Sequence, residues 1–155
     1  MVSNHFLNKM LLHLEYYRGT YSANNIPAFD KYSKSIFIAN LSNVGEKGTH
    51  FVVISLVRNG KGVDITYFDP MGNRCKNEFL LNYMSKLAVK YNFCQVQIQG
   101  ILSVFCGLYC AGHVINYHLN KGLLTRYLNI FNLDDKMDND KIVARYINAY
   151  LDKLV

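Results

Sequence analysis

The chain has 155 residues, of which 50% are hydrophobic and 14% aromatic, and we expect residues 1–155 to form one globular domain with a buried core. No apolar run reaches the roughly 18 residues that a membrane span needs, and the N-terminus lacks the basic-then-apolar pattern of a secretion signal. We therefore expect a soluble, intracellular monomer with no membrane contact, whose 4 cysteines are reduced thiols.

Hydrophobic periodicity predicts helices and strands in an order typical of an α+β domain. Apolar residues at helical spacing predict helices over 4–17, 77–90, 105–120 and 138–154. Runs rich in β-branched and aromatic residues predict strands over 35–40, 49–58, 63–69 and 95–100. Helices before, between and after these strands indicate a mostly antiparallel central sheet flanked by helices.

The segment from Gln99 to Leu108 is the part of the sequence that points most strongly to chemistry. Cys106 stands at the start of a long apolar helical run, and the positive end of a helix favours the thiolate, which is the nucleophilic form of cysteine. Gln99 lies upstream in a predicted strand, where its amide could donate a hydrogen bond to an oxyanion forming beside that sulfur. The segment is therefore typical of half of a thiol-hydrolase site.

A base and a group that orients it would complete such a site, and a predicted hairpin supplies both. His50 stands at the start of one strand and Asp69 at the end of the next, with a glycine-containing turn at 59–62 between them. Antiparallel strands joined by such a turn place these two residues side by side. The Asp69 carboxylate would then reach one imidazole nitrogen and leave the other for Cys106.

Each of these residues also has a simpler interpretation. Cys106 could be an inert core cysteine, His50 a solvated residue at a strand end, and Asp69 the cap of a turn. Gln99 could be an ordinary strand residue. Two other amides on the same predicted strand face compete for its role, Gln95 and Gln97.

The motifs, in this order, resemble those of the adenovirus protease (adenain). The resemblance is carried by His50-Phe51, Phe68-Asp69-Pro70-Met71-Gly72, Gln99-Gly100-x-x-Ser103-x-x-Cys106-Gly107-Leu108-Tyr109-Cys110, Arg18-Gly19-Thr20-Tyr21 and Ile26-Pro27-Ala28-Phe29. It implies a papain-like or adenain-like fold with the nucleophile at the N-terminus of a buried helix. It also implies Cys106 as nucleophile, His50 as general base, Asp69 as orienting acid and Gln99 as oxyanion donor.

The chain departs from the adenovirus enzymes at two of these positions. The family usually has Trp after the histidine, whereas this chain has Phe51 and no Trp. The acid is Asp69 instead of Glu, as in the related SUMO and ubiquitin-like proteases. We expect Phe51 beside the base and Phe105 beside the nucleophile to crowd the substrate cleft, which would favour a small residue, chiefly Gly, just before the cut.

The resemblance implies a viral or virus-derived cysteine endopeptidase that cleaves capsid and core precursor proteins during virion maturation, in the host nucleus or the virion. Proteases encoded by large virus-like DNA transposons fit equally. A deconjugating protease acting on ubiquitin-like modifiers is the second interpretation. The third is a catalytically idle module that retained the fold to bind nucleic acid or capsid.

The charge and the remaining cysteines suggest activators instead of cofactors. The net charge is +6, with the basic excess in the first 100 residues, which indicates either a phosphate-binding face or a solvated surface. The resemblance implies DNA and a short peptide as activators, and Cys94 occupies the place of the cysteine to which such a peptide is disulfide-bonded; a buried thiol is the alternative. We expect no cofactor for the chemistry. Cys106, Cys110 and His113 lack a second ligand pair, so we expect no metal.

Overall fold

The computed structural model describes residues 2–41 and 50–154, in which five strands form one sheet. The strands are β1 (Tyr17–Ser22), β2 (Lys34–Asn40), β3 (Phe51–Asn59), β4 (Gly62–Phe68) and β5 (Asn92–Phe93). The α-helices are α1 (Asn4–Leu11), α2 (Glu78–Ser85), α3 (Cys106–Leu119), α4 (Leu124–Leu128) and α5 (Asn139–Lys153), and a 3-10 turn spans Lys136–Asp138.

The strands lie in the order β1-β2-β3-β4-β5, so that β3 is central. The β2–β3 and β3–β4 pairs are antiparallel, and the outer pairs β1–β2 and β4–β5 are parallel. The predicted α+β class is confirmed, with antiparallel pairing at the centre of a mixed sheet.

Alternating side chains divide the core between the two faces of the sheet. Ile38 of β2 and Val53 of β3 face α1, α3 and α5, where they pack in a cluster with Val114. Phe37 and Ile54 face the opposite side and pack with residues of α2. Both faces are therefore covered, which explains why β3 is buried from Phe51 to Leu56.

The structure shortens two predicted helices. The N-terminal helix ends at Leu11 instead of residue 17, because Tyr17 begins β1 and the backbone N–H of Tyr16 donates to Nε2 of His118 at 3.0 Å. The helix predicted over 77–90 spans only Glu78–Ser85. Its predicted C-terminal part includes Val89, which is fully exposed and gains nothing from apolar burial.

The predicted strand over 95–100 is not a strand. Residues 95–100 lie outside the sheet ladder, with a bend at Gln99, and the N–H groups of Ile98 and Gln99 donate to the carbonyl of Pro70, after β4, at 2.9 and 3.1 Å. β3 begins at Phe51, and Thr49, where the prediction placed its start, lies outside the described residues. β1 and α4 were not predicted.

No helix within residues 2–41 and 50–154 combines the length and the apolar character that a bilayer crossing needs.

Candidate active site

The β3–β4 hairpin brings His50 and Asp69 together. Val53 pairs with Phe68, so the residues just before β3 lie beside the residue just after β4. Nε2 of His50 is 2.9 Å from Oδ1 of Asp69. The same Oδ1 accepts the backbone N–H of Met71 at 2.7 Å, and Asp69 is only 3% exposed. The juxtaposition predicted from the hairpin is therefore present, with a carboxylate oriented by two donors.

Cys106 lies near the His50 ring. It is the first residue of α3 and is 7% exposed. The imidazole of His50 is hydrogen-bonded to Asp69, and the Cys106 side chain is close enough to contribute to the raised pKa of the imidazole. Because Asp69 engages Nε2, Nδ1 is the ring nitrogen left for the sulfur. The ring is thus hydrogen-bonded to the carboxylate and lies near the thiol.

The environment of His50 favours its charged form. Burial lowers the pKa of this imidazole, but the hydrogen bond to Asp69 and the interactions with Asp69 and Cys106 outweigh burial and raise the pKa from 6.5 to about 9. A protonated imidazole beside a thiol stabilises the thiolate by charge attraction. The arrangement therefore places a charged imidazole beside the Cys106 side chain at neutral pH.

Gln99 is buried between the hairpin and the loop before α3. It is 3% exposed, and its Nε2 donates to the backbone carbonyl of Ser103 at 3.0 Å. An amide nitrogen carries two hydrogens, so one N–H remains to donate elsewhere. Of the competing amides, Gln97 donates to the carbonyl of Gln99 at 2.9 Å and Gln95 is exposed.

The two aromatic residues expected to line the cleft lie in different environments. Phe51 is only 2% exposed, because the alternation of β3 turns it toward α3, where it packs in the core. Phe105 is half-buried beside Cys106 and lines an apolar pocket of about 460 Å³. The other residues of that pocket are Val2, Ser3, Phe6, Val104 and Leu108.

The other cysteines lie outside this constellation. Burial raises the pKa of Cys75, Cys94 and Cys110, and the Cys110 thiol donates to the carbonyl of Phe51 at 3.3 Å. Cys94 is half-buried and its sulfur is a free thiol. Among the described residues, no group of three or more His, Cys, Asp or Glu side chains is placed to hold a metal ion.

The fold is that of the SUMO protease and adenain-like cysteine proteases, as the sequence motifs predicted. AvrA, solved with IP6 and CoA, matches with a TM-score of 0.53 and 15% identity over 92% of this chain and 53% of its own. HopZ1a in complex with IP6 and CoA matches with a TM-score of 0.51 and 14% identity, over 91% and 49%.

A weaker match is the SUMO protease Ulp1, with a TM-score of 0.40 and 16% identity over 78% of this chain and 53% of Ulp1. The chain thus spans about half the length of the solved chains that it matches. No protein-family model matches the sequence, and no curated protein matches it.

Proposed function

We propose that this protein is a cysteine endopeptidase with Cys106 as nucleophile, His50 as general base, Asp69 as orienting acid and Gln99 as oxyanion donor. The observation that carries the proposal is the His50 ring, which is hydrogen-bonded to Asp69 at 2.9 Å and lies close enough to Cys106 for the thiol to contribute to its raised pKa. A nucleophile, a base and an orienting group in contact are the parts that covalent hydrolysis requires.

The mechanism follows from the positions of these groups. His50 takes the Cys106 proton, and the thiolate attacks the scissile carbonyl to form a tetrahedral oxyanion, which accepts hydrogen bonds from the Gln99 amide and the Cys106 backbone N–H. The C–N bond then breaks as the imidazolium protonates the leaving amine. Water, deprotonated by His50, hydrolyses the thioester, which releases the acid and restores the thiol.

We propose capsid and core precursor proteins of a virus or virus-derived element as substrates, cut after a small residue, chiefly Gly, in the host nucleus or the virion. The support is the order and spacing of the motifs, which resemble those of adenovirus proteases. With Phe51 buried, Phe105 is the aromatic residue that remains beside the nucleophile to narrow the cleft.

A CoA thioester is the competing acyl source at the same sulfur. Two solved structures with TM-scores above 0.5, those of AvrA and HopZ1a, were determined with CoA. In that case the thiolate of Cys106 would attack the thioester carbonyl and release CoA thiol, and an acceptor nucleophile would take the acyl group in place of water. Deconjugation of a ubiquitin-like tail is the further alternative.

A substrate panel separates these activities. Wild type and Cys106→Ala are assayed with Gly-rich precursor peptides, with fluorogenic C-terminal tails of ubiquitin-like proteins, and with acetyl-CoA plus a lysine peptide. The proposal expects cleavage of the Gly-rich peptides by wild type alone. If wild type turned over only the ubiquitin-like tails, or only acetyl-CoA, the proposed substrate class would be wrong and that substrate would take its place. Equal cleavage by Cys106→Ala would refute the thiol mechanism.

We propose a polyanion, DNA or a phosphorylated small molecule, as an activator of this enzyme. The net charge of +6 supports it, and IP6 is present in the AvrA and HopZ1a structures. Exposed Lys61 and Lys90 line one groove of about 750 Å³ at the turn of the β3–β4 hairpin, at the end of the hairpin opposite His50 and Asp69. An activating peptide bound through the free thiol of Cys94 is a separate proposal that rests on the resemblance.

A further inference from the structure

The loop between Gln99 and Cys106 is attached to the start of α5. The hydroxyl of Ser103 donates to Oδ1 of Asp140 at 2.7 Å, and the hydroxyl of Tyr109 donates to the same oxygen at 2.7 Å. Asp140 lies in the first turn of the 15-residue helix α5. The positive end of a helix stabilises a carboxylate, and hydrogen bonds to a carboxylate are stronger than those to a neutral acceptor. Asp140 therefore holds both hydroxyls strongly.

Ser103, held by Asp140, is hydrogen-bonded to both ends of the loop. Its Oγ accepts the backbone N–H of Phe105 at 3.1 Å, one residue before the nucleophile. Its carbonyl accepts Nε2 of Gln99 at 3.0 Å, and its own N–H donates to the carbonyl of Gly100 at 3.0 Å. One serine therefore orients both the turn that begins α3 and the amide of Gln99.

The carbonyl of Ser103 also selects which end of the Gln99 amide faces it. A carbonyl oxygen attracts the NH₂ group and repels the amide oxygen, so a fixed Ser103 carbonyl holds Gln99 in one of its two flipped orientations. Oε1 of Gln99 is buried without a partner among the described residues, so it contributes no competing hydrogen bond there. The orientation of the amide therefore depends on the position of Ser103.

A second contact from α5 supports the same segment. Asn139, which is 0% exposed, donates through Nδ2 to the carbonyl of Ile98 at 2.7 Å, directly before Gln99. Consecutive residues of α5 thus hold the chain on both sides of Gln99.

We propose that Asp140 is a positioning residue that acts through Ser103 to set the orientation of the Gln99 amide. This inference rests on the proposed role of Gln99 as oxyanion donor. Asp140 itself contacts neither the thiol nor the imidazole in the hydrogen bonds of the site. Its effect on the rate should therefore exist only while the Gln99 side chain is present.

A double-mutant cycle on hydrolysis tests that dependence. Asp140→Ala and Ser103→Ala should each lower kcat about tenfold, the loss expected for one hydrogen bond to a charged group. Asp140→Asn, whose amide oxygen can still accept from Ser103, should restore most of the rate. In a Gln99→Ala background, Asp140→Ala should cause no further loss. Full additivity of the two losses would overturn the proposal.

Tyr109→Phe is the matched control, because it removes the other hydrogen bond to Asp140 and keeps the ring. A purely structural role of Asp140 predicts that Tyr109→Phe lowers kcat as much as Asp140→Ala does. The positioning role predicts a rate within twofold of wild type for this variant. Thermal unfolding of all variants, measured in parallel, identifies any loss that follows from instability.

An NMR measurement keeps this inference separate from the proposed function. In ¹⁵N-labelled protein, the side-chain NH₂ signals of Gln99, assigned by their absence in Gln99→Ala, should shift in Asp140→Ala and Ser103→Ala but not in Tyr109→Phe. Unchanged signals would overturn the positioning role. Shifted signals in a wild type that cleaves no peptide would uphold the structural link and refute the protease.

Discussion

Oδ1 of Asp69 accepts two hydrogen bonds at once, from Nε2 of His50 at 2.9 Å and from the backbone N–H of Met71 at 2.7 Å. The backbone donor belongs to the turn that follows β4, so it holds the carboxylate in place whatever the charge on the imidazole. The end of the hairpin thus fixes the Asp69 carboxylate, and through it the orientation of the His50 ring.

Asp69→Asn should lower kcat less than His50→Ala. The N–H of Met71 requires an acceptor, so the oxygen of the new amide should keep facing Met71 and His50, and only the charge is lost. We expect about a tenfold loss for Asp69→Asn and about 10²–10⁴-fold for His50→Ala, which removes the group that transfers the proton. Steady-state hydrolysis measures both. Equal losses would show that the charge of Asp69, and not the orientation of the ring, is what matters.

The stability contributed by His50 should depend on pH. Its pKa rises from 6.5 in the unfolded chain to about 9 in the folded protein, so the folded state binds the proton more tightly. The contribution to the free energy of unfolding is complete below pH 6.5 and is lost as the pH rises through about 9. Urea denaturation from pH 6 to pH 10 should show that the difference in the free energy of unfolding between wild type and His50→Gln shrinks as the pH rises from 6.5 through about 9. A constant difference would contradict the raised pKa.

Cys106 should be the first of the 4 cysteines to react with iodoacetamide at neutral pH. Burial raises the pKa of Cys75, Cys94 and Cys110, while Cys106 contacts the His50 imidazole. Peptide mass spectrometry over a time course gives the order of labelling. His50→Gln should slow labelling at Cys106 and leave the other three unchanged. Cys94 reacting first would contradict this account.

Gly112→Ala should destabilise the fold. A Cβ at this position of α3 would lie 3.0 Å from Cε1 of Tyr127, a fully buried ring whose hydroxyl donates to the carbonyl of Tyr109 at 2.7 Å. Because that ring has no room to move, we expect a loss of about 1–3 kcal/mol in the free energy of unfolding. Gly60→Ala is the control, since no atom lies within 4 Å of its Cβ, and should change the free energy by less than about 0.5 kcal/mol.

DNA affinity, if the basic surface binds phosphate, should fall steeply with salt. Each phosphate neutralised contributes roughly 0.7–0.9 to the slope of log affinity against log salt. Lys61→Glu with Lys90→Glu should reduce both affinity and slope, whereas Lys141→Glu with Lys153→Glu, the same charge change on exposed positions of α5, should not. Fluorescence anisotropy with a labelled DNA duplex at several salt concentrations measures the affinity and its salt slope, and competition by IP6 shows whether a phosphorylated small molecule binds the same surface. Equal effects of both pairs would indicate a nonspecific charge effect.

The sequence by itself determined the features that depend on neighbouring residues. The β3–β4 hairpin follows from two runs rich in β-branched and aromatic residues around a glycine turn, and a two-strand hairpin leaves little choice about which ends meet, so the contact of His50 with Asp69 was predictable. The bounds of α3 and α5 follow from helical periodicity to within a residue or two.

Only the tertiary structure decided the features that depend on distant contacts. The parallel pairing of β1 with β2 and the early end of α1 depend on contacts with β2 and with His118, which no local pattern encodes. The burial of Phe51 depends on α3 covering that face of β3. The bond between Ser103 and Asp140 joins residues 37 positions apart, and only the packing of α5 beside α3 brings them within 2.7 Å.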